Sequence, residues 1–240
     1  MFQDIFHIHT YRCGHASDEN DEEYVKSAIE LGAKQITFTD HAPFPGDPFG
    51  NRMKIAQLPE YVQTLSELKE KYKDWIDVRI GLEIEYLPKF AAYYKQLYES
   101  GDFDLLMLGQ HFYEVNEEQY SFSLGTDTLI REEAENLCAA MIEGIKAGYF
   151  SVVAHPDRMF RKCTNWNEKM VKLSQDLINT AEERGVILEK NLSSMKKDKQ
   201  YWEEFWNLNN DEIRVVTGFD AHSVDEMKQL YLLEVGKYGK

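Results

Sequence analysis

Seven histidines carry the chemistry that this chain can do: His7, His9, His15, His41, His111, His155 and His222. Neutral imidazole and carboxylate oxygen are ligands of borderline divalent ions such as zinc, manganese and iron. His7 and His9 flank Ile8, so a regular strand turns both to one face. The same alternation pairs Glu83 with Glu85, and Asp220 with His222. Seven imidazoles and at least two carboxylates exceed what one tetrahedral ion needs. That arithmetic points to two or three ions, with one carboxylate bridging. A lone histidine at a strand end is ordinarily held by a hydrogen bond, so the case rests on where all seven fall.

The elements that must position them read as an alternation. Short apolar, β-branched runs predict strands over Asp4–His9, Gln35–Asp40, Val78–Tyr86, Leu105–Phe112, Ser151–His155, Val186–Asn191 and Ile213–Phe219. Between them, helical periodicity predicts Asp21–Leu31, Leu58–Tyr72, Lys89–Ser100, Thr128–Ala147, Glu168–Arg184, Lys199–Asn209 and Val224–Val235. Gly32, Gly101, Gly148 and Gly185 stand just past four of these as stops. Seven strand–helix steps imply an α/β fold with a parallel sheet, either open and doubly wound or closed as a barrel. The first strand–helix turn has no glycine-rich phosphate loop, which lowers the nucleotide-binding version. Every histidine lies at, or just past, the C-terminal end of an expected strand, where barrels gather their functional groups.

Composition sets the outer limits. The chain has 240 residues, with 42 acidic against 27 basic side chains and a net charge of −15. It is long enough for one large domain or two small ones with a substantial core. Its 43% hydrophobic and 13% aromatic content is that of a folded protein. The acidic balance excludes a surface that coats nucleic acid. Divalent ions at the strand ends would still make one pocket locally cationic, so a small anionic substrate stays open. No apolar run approaches the roughly 18–20 residues of a membrane span. Met1-Phe2-Gln3-Asp4 lacks the basic and apolar regions of a secretory signal. Three sparse cysteines, Cys13, Cys138 and Cys163, fit free thiols in a reducing compartment, so a cytoplasmic location is expected.

The ordered set His7-Ile8-His9-Thr10, Cys13-Gly14-His15-Ala16, Thr39-Asp40-His41-Ala42-Pro43, Gly81-Leu82-Glu83, Gly109-Gln110-His111, Ala154-His155-Pro156 and Phe219-Asp220-Ala221-His222 resembles the polymerase-and-histidinol-phosphatase (PHP) family of metal phosphoesterases. The resemblance runs from His7 to His222. It implies a distorted (β/α)7 barrel, with residues 1–240 as a single metal-dependent phosphoesterase domain. It further implies His7, His9, Glu83 and Asp220 on one ion, and His15, His41 and His222 on a second. Glu83, His111 and His155 would hold the third, with Glu83 bridging. Asp-His-Ala-Pro-Phe-Pro ending at Pro45, Arg52-Met53, the 81–86 run and Ala-His-Pro-Asp-Arg (154–158) look most like the histidinol-phosphate phosphatases of this family. The implied reaction is hydrolysis of L-histidinol phosphate to L-histidinol and phosphate, in histidine biosynthesis. Two departures touch the substrate side: Glu189-Lys190-Asn191-Leu192 replaces a run like Glu-Ile-Asn-Thr, and Gly-Phe-Asp replaces Gly-Ser-Asp before Asp220.

Ions in such a site lower the pKa of a bound water and neutralise phosphoryl oxygens. The expected attack is by a metal-bridging hydroxide directly on phosphorus. Cys13 lacks the phosphate-cradling loop of a cysteine phosphatase. Arg158, after the His155-Pro156-Asp157 turn, is the first candidate to grip phosphate bidentately; its ordinary alternative is a pair with Asp157. Arg52 is a second candidate, against a solvated loop arginine. Asn191 is a candidate donor to substrate or metal-bound water. Asp40, Gln110 and Glu85 either orient ligand imidazoles or pack at the wall. Phe44, Phe49, Phe112, Tyr113 and Phe160 either stack an imidazole-bearing substrate or fill the core. The acidic run from Asp18 to Glu23 reads as a helix start. Competing functions are a PHP phosphoesterase for a nucleotide, an oligonucleotide 3′ end or phosphotyrosine, and a non-catalytic metal-binding module. The partner expected is a small phosphate monoester, with no membrane; the oligomeric state is open.

Overall fold

The computed structural model describes residues 4–197, 200–208 and 213–238. Met1–Gln3, and both ends of the expected Lys199–Asn209 helix, lie outside the described residues. Contacts divide the chain into two compact units: Met1–Glu83 with Leu97–Leu106 and Gly218–Lys240, and Ile84–Gln96 with Met107–Thr217.

In the first unit, β1 (Asp4–Ile8), β2 (Gln35–Phe38) and β3 (Asp77–Ile84) pair in parallel, in chain order. Helix α1 (Asp21–Glu30) joins the first two strands and α2 (Leu58–Tyr72) the next two. The acidic run starts α1 as expected, because Asn20 and Glu23 form a reciprocal capping box and three carboxylates occupy the first turn. Tyr24, Val25 and Ala28 of α1 bury against Ile36 and Phe38, with the Tyr24 and Phe38 rings edge to face at 6.2 Å. Helix α8 (Val224–Tyr238) packs on α1 and β1. The residues before α8 return to β1: Phe219 N donates to Phe6 O at 2.8 Å, and His9 N to Ala221 O at 3.0 Å. The first strand is therefore hydrogen-bonded on both sides.

The second unit contributes α3 (Ala91–Glu99, whose last residues are counted with the first unit), the second half of β4 (Leu105–Leu108) and a hairpin of β5 (Glu114–Asn116) with β6 (Gln119–Tyr120). Then follow α4 (Thr126–Ala147), β7 (Val152–Val153), α5 (Glu168–Arg184), β8 (Ile187–Asn191), the short α6 (Leu192–Met195) and α7 (Glu203–Asn207), and β9 (Val215–Gly218). Pairing of β4 with β7 and of β7 with β8 is parallel, and α4 packs on α5. The expected glycine stops hold: Gly148 and Gly185 close α4 and α5 at φ 82° and 66°, where a side chain would be strained.

The strand order is β1-β2-β3-β4-β7-β8-β9, and the hairpin forms its own two-stranded sheet. Seven parallel strands linked by helices are the (β/α)7 connectivity that the sequence implies. The strands end earlier than expected. Leu105–Phe112 stops at Leu108 and Ser151–His155 shrinks to Val152–Val153, leaving His111 and His155 in the loops that follow. The hairpin and α6 were not foreseen. Among the described residues, no helix is long and apolar enough to cross a membrane.

Candidate metal centre

In the first unit the ends of β1, β2 and β3 and the segment after β9 converge. His7 is an extra residue in β1. The register steps from Phe6 opposite Thr37 to Ile8 opposite Phe38, and His7 takes a left-handed φ of 72°. This bulge aims His7 Nε2 at His9 Nε2, 2.9 Å away. Glu83 Oε2 stands 3.5 Å from His7 Nε2 and 3.4 Å from His9 Nε2, and Asp220 Oδ1 lies 3.8 and 3.4 Å from the same atoms. His41 Nδ1 approaches Glu83 Oε2 to 3.0 Å.

Those spacings are informative. Two ligands about 2.1 Å from a tetrahedral ion sit roughly 3.4 Å from each other, which matches the His9–Glu83 and His9–Asp220 separations of 3.4 Å. Ligand atoms of His7, His9 and Asp220 lie within 4.8 Å of one another, as do those of His15, His41 and His222, and those of His9, His41 and Glu83. His15 Nδ1 donates to Cys13 O and His222 Nδ1 to Asp220 O, each at 3.1 Å. Those bonds place the proton on Nδ1 and leave the Nε2 lone pair for a metal. His222 Nε2 and His9 Nδ1 are buried without a hydrogen-bond partner. Burial, with His41 and His7 nearby, pushes His9 down to about 3. Burial beside His9 brings His222 to about 3 as well. Both imidazoles are thus neutral at pH 7, the form that binds metal. The donor set and its spacing fit divalent ions.

The second unit brings His111 and His155 together, with ring centroids 5.0 Å apart. His111 Nδ1 meets Glu85 Oε1 at 3.0 Å, so Glu85 orients the His111 imidazole. Arg161 adds a hold that the sequence reading missed, donating to His111 O at 3.1 Å and to buried Glu133 at 2.7 Å. His155 sits at φ 33°, and its N–H donates to Glu189 Oε2 at 3.0 Å. Asn191 donates to the same oxygen at 3.0 Å. Its carbonyl oxygen caps α6 by accepting from Ser194 N at 2.8 Å. Ser194 Oγ then accepts from Arg158 Nε and Nη2, at 3.3 and 2.8 Å. Asn191 therefore fixes the turn that holds the guanidinium. Glu189 and Asn191, two residues apart, were a legible pair on one face.

Other candidates resolve differently. Arg52 donates to Ala42 O at 3.2 Å and stands over the Phe44 and Phe49 rings, in the loop after His41. Asp40 accepts from the N–H and hydroxyl of Thr10, and Gln110 bonds the backbone of Tyr86 and Phe112. Phe44, Phe49, Phe112, Tyr113 and Phe160 are all buried, which favours core packing over substrate stacking. Asp157 is buried and accepts from Trp202 N at 2.8 Å.

Backbone strain marks the same residues. Among the described residues six non-glycine positions have positive φ, and three of them are His7, His155 and Asp220; the others, Asp47, Asn51 and Glu118, occupy loops. Left-handed conformations cost about 1–3 kcal/mol each and persist only where the surrounding structure over-determines them.

Fold and site together define an α/β protein whose parallel strands deliver imidazoles and carboxylates at metal-ligand spacing. The model of the PHP domain matches residues 6–193, so the chain belongs to the PHP domain family. The histidinol-phosphatase of Bacillus subtilis (strain 168) is 28% identical over 258 residues, covering 94% of this chain and 95% of that protein. A Listeria monocytogenes chain solved as a candidate histidinol phosphatase superposes with a TM-score of 0.78 at 19% identity, covering 93% of this chain and 97% of its own. Histidinol phosphate phosphatase of Lactococcus lactis, solved with zinc, L-histidinol and phosphate, gives 0.70 at 21% identity, over 95% and 92% of the two chains. At these identities the two structures share the fold.

Proposed function

We propose that residues 1–240 form one metal-dependent phosphatase domain that hydrolyses L-histidinol phosphate to L-histidinol and phosphate, in histidine biosynthesis and in the cytoplasm. The observation that carries this is the complete set of donors, His7, His9, His15, His41, Glu83, Asp220 and His222, at ligand spacing in the first unit. The match to the Bacillus subtilis histidinol-phosphatase along nearly the whole of both chains supports the substrate.

In this reading the chain holds three ions. His111 and His155 would hold one of them. Zinc, manganese and iron all suit these donors. Bound divalent ions supply a more acidic water and neutralise phosphoryl oxygens. The chain's own part is to hold neutral imidazoles in place and to present cations to the ester. Arg158, braced by Ser194, grips a non-bridging oxygen; Asn191 keeps that brace in register, and Arg52 is the second cation.

Steady-state kinetics on metal-replete protein test the proposal. Histidinol phosphate is expected to turn over far faster than nucleoside monophosphates or a phosphotyrosine peptide. Equal, slow turnover of all three would remove the specific substrate. Ions bound without turnover of any would make the chain a metal-binding module.

A further inference from the structure

Arg12 lies in the 3-10 turn Tyr11–Cys13, between His9 and His15, with its side chain fully buried. Four of its N–H bonds are placed. Nε and Nη2 grip the two oxygens of Glu60 on α2, at 3.0 and 2.9 Å. Nη1 donates to Asp21 on α1 at 2.6 Å and to Thr10 Oγ1 at 3.1 Å. The guanidinium also lies over the rings of Tyr11 and Tyr61. An arginine can only donate, so its bond to Thr10 turns the single hydroxyl hydrogen of Thr10 elsewhere. That hydrogen goes to Asp40 Oδ2, while Thr10 N donates to Asp40 Oδ1.

One run of bonds thus passes from two outer helices through Arg12 and Thr10 to Asp40. Thr10 is bonded in sequence to His9, and Asp40 to His41. Two residues after Arg12, Gly14 turns the chain at φ 77° into His15. All of these residues belong to the first unit.

We infer that Arg12 is a positioning residue for the metal centre: through Thr10 and Asp40 it sets His9, His15 and His41 at ligand spacing before an ion arrives. A buried ion pair is a poor way to gain stability, since an apolar residue of similar size often does as well. A guanidinium does what no apolar residue can, fixing three elements and one hydroxyl direction with a rigid fork. Lysine, with three donors on a flexible stem, cannot reproduce the fork.

The inference rests on the metal-centre reading, and its test reads ions without substrate. Zinc is titrated against a chromogenic chelator in wild type, Arg12→Lys, Arg12→Met, Thr10→Val and Glu60→Gln, with thermal unfolding of each apoprotein alongside. Loss of a group that orients metal ligands typically weakens binding about 10–100-fold. That loss is expected for Arg12→Met and Thr10→Val, with a smaller one for Arg12→Lys. Glu60→Gln, which leaves the fork one acceptor oxygen instead of two, should weaken binding less than Arg12→Met does. Wild-type zinc affinity in both Arg12→Lys and Thr10→Val overturns the inference. So does a loss of affinity that merely follows apoprotein stability across all four variants, because that is bracing and not positioning. Wild type that holds no zinc would overturn the metal centre along with it, a result distinct from either.

Discussion

His7 and His9 face each other Nε2 to Nε2 at 2.9 Å because β1 inserts His7 as an extra residue. Regular alternation alone also puts residues 7 and 9 on one face. The bulge brings the rings closer than a flat strand does, at the cost of a left-handed histidine with φ 72°.

That conformation has a measurable signature. At an ordinary strand position glycine is less stable than alanine by about 0.5–1 kcal/mol. At position 7 the order is expected to reverse, with His7→Gly more stable than His7→Ala by about 1 kcal/mol in the apoprotein. Urea unfolding of the two variants without metal checks it; alanine the more stable would show that His7 carries no strain.

Ion content should report the two sets of ligands separately. Replacing both His9 and His222 by alanine is expected to empty the sites of the first unit, whereas His111→Ala should remove about one ion per chain. Elemental analysis gives the ratios. A wild-type content below one ion per chain in fully metallated protein would end the cluster reading.

Arg158→Ala is expected to lower kcat/KM for the phosphate ester by roughly 10–150-fold, the worth of a hydrogen bond to a charged group. Arg158→Lys should recover only part, because a point charge lacks the planar fork. Arg52→Ala should act more weakly, since Arg52 already spends one donor on Ala42 O. Unchanged kinetics in Arg158→Ala would move the phosphate grip to another residue.

The cysteines should be inert at neutral pH. Burial pushes the thiols of Cys13 and Cys138 up to about 12, and raises half-buried Cys163 less far. Only the thiolate reacts, so raising the pKa removes reactivity below it. Alkylation at pH 7 is expected to be slow, to speed up as pH rises, and to reach Cys163 first. Cys13→Ala should keep its activity. A variant with full metal content and no activity would make Cys13 part of the chemistry.

Local sequence determined a good deal. Helices Leu58–Tyr72 and Glu168–Arg184 begin and end where periodicity and caps place them, because those signals act within a few residues. The positions of the seven histidines along the chain, each next to a strand end, were equally legible. What the chain could not announce is set by contacts between residues far apart in it. The strands stop short at Leu108 and Val153 because the residues that follow leave extended geometry, as His155 does at φ 33°. Arg12 reads in sequence as one more polar loop residue. Only the fold brings Asp21 and Glu60 to its guanidinium and Asp40 to Thr10, because these partners lie far apart along the chain. Residue types gave the chemistry its donors, and tertiary packing decided their distances.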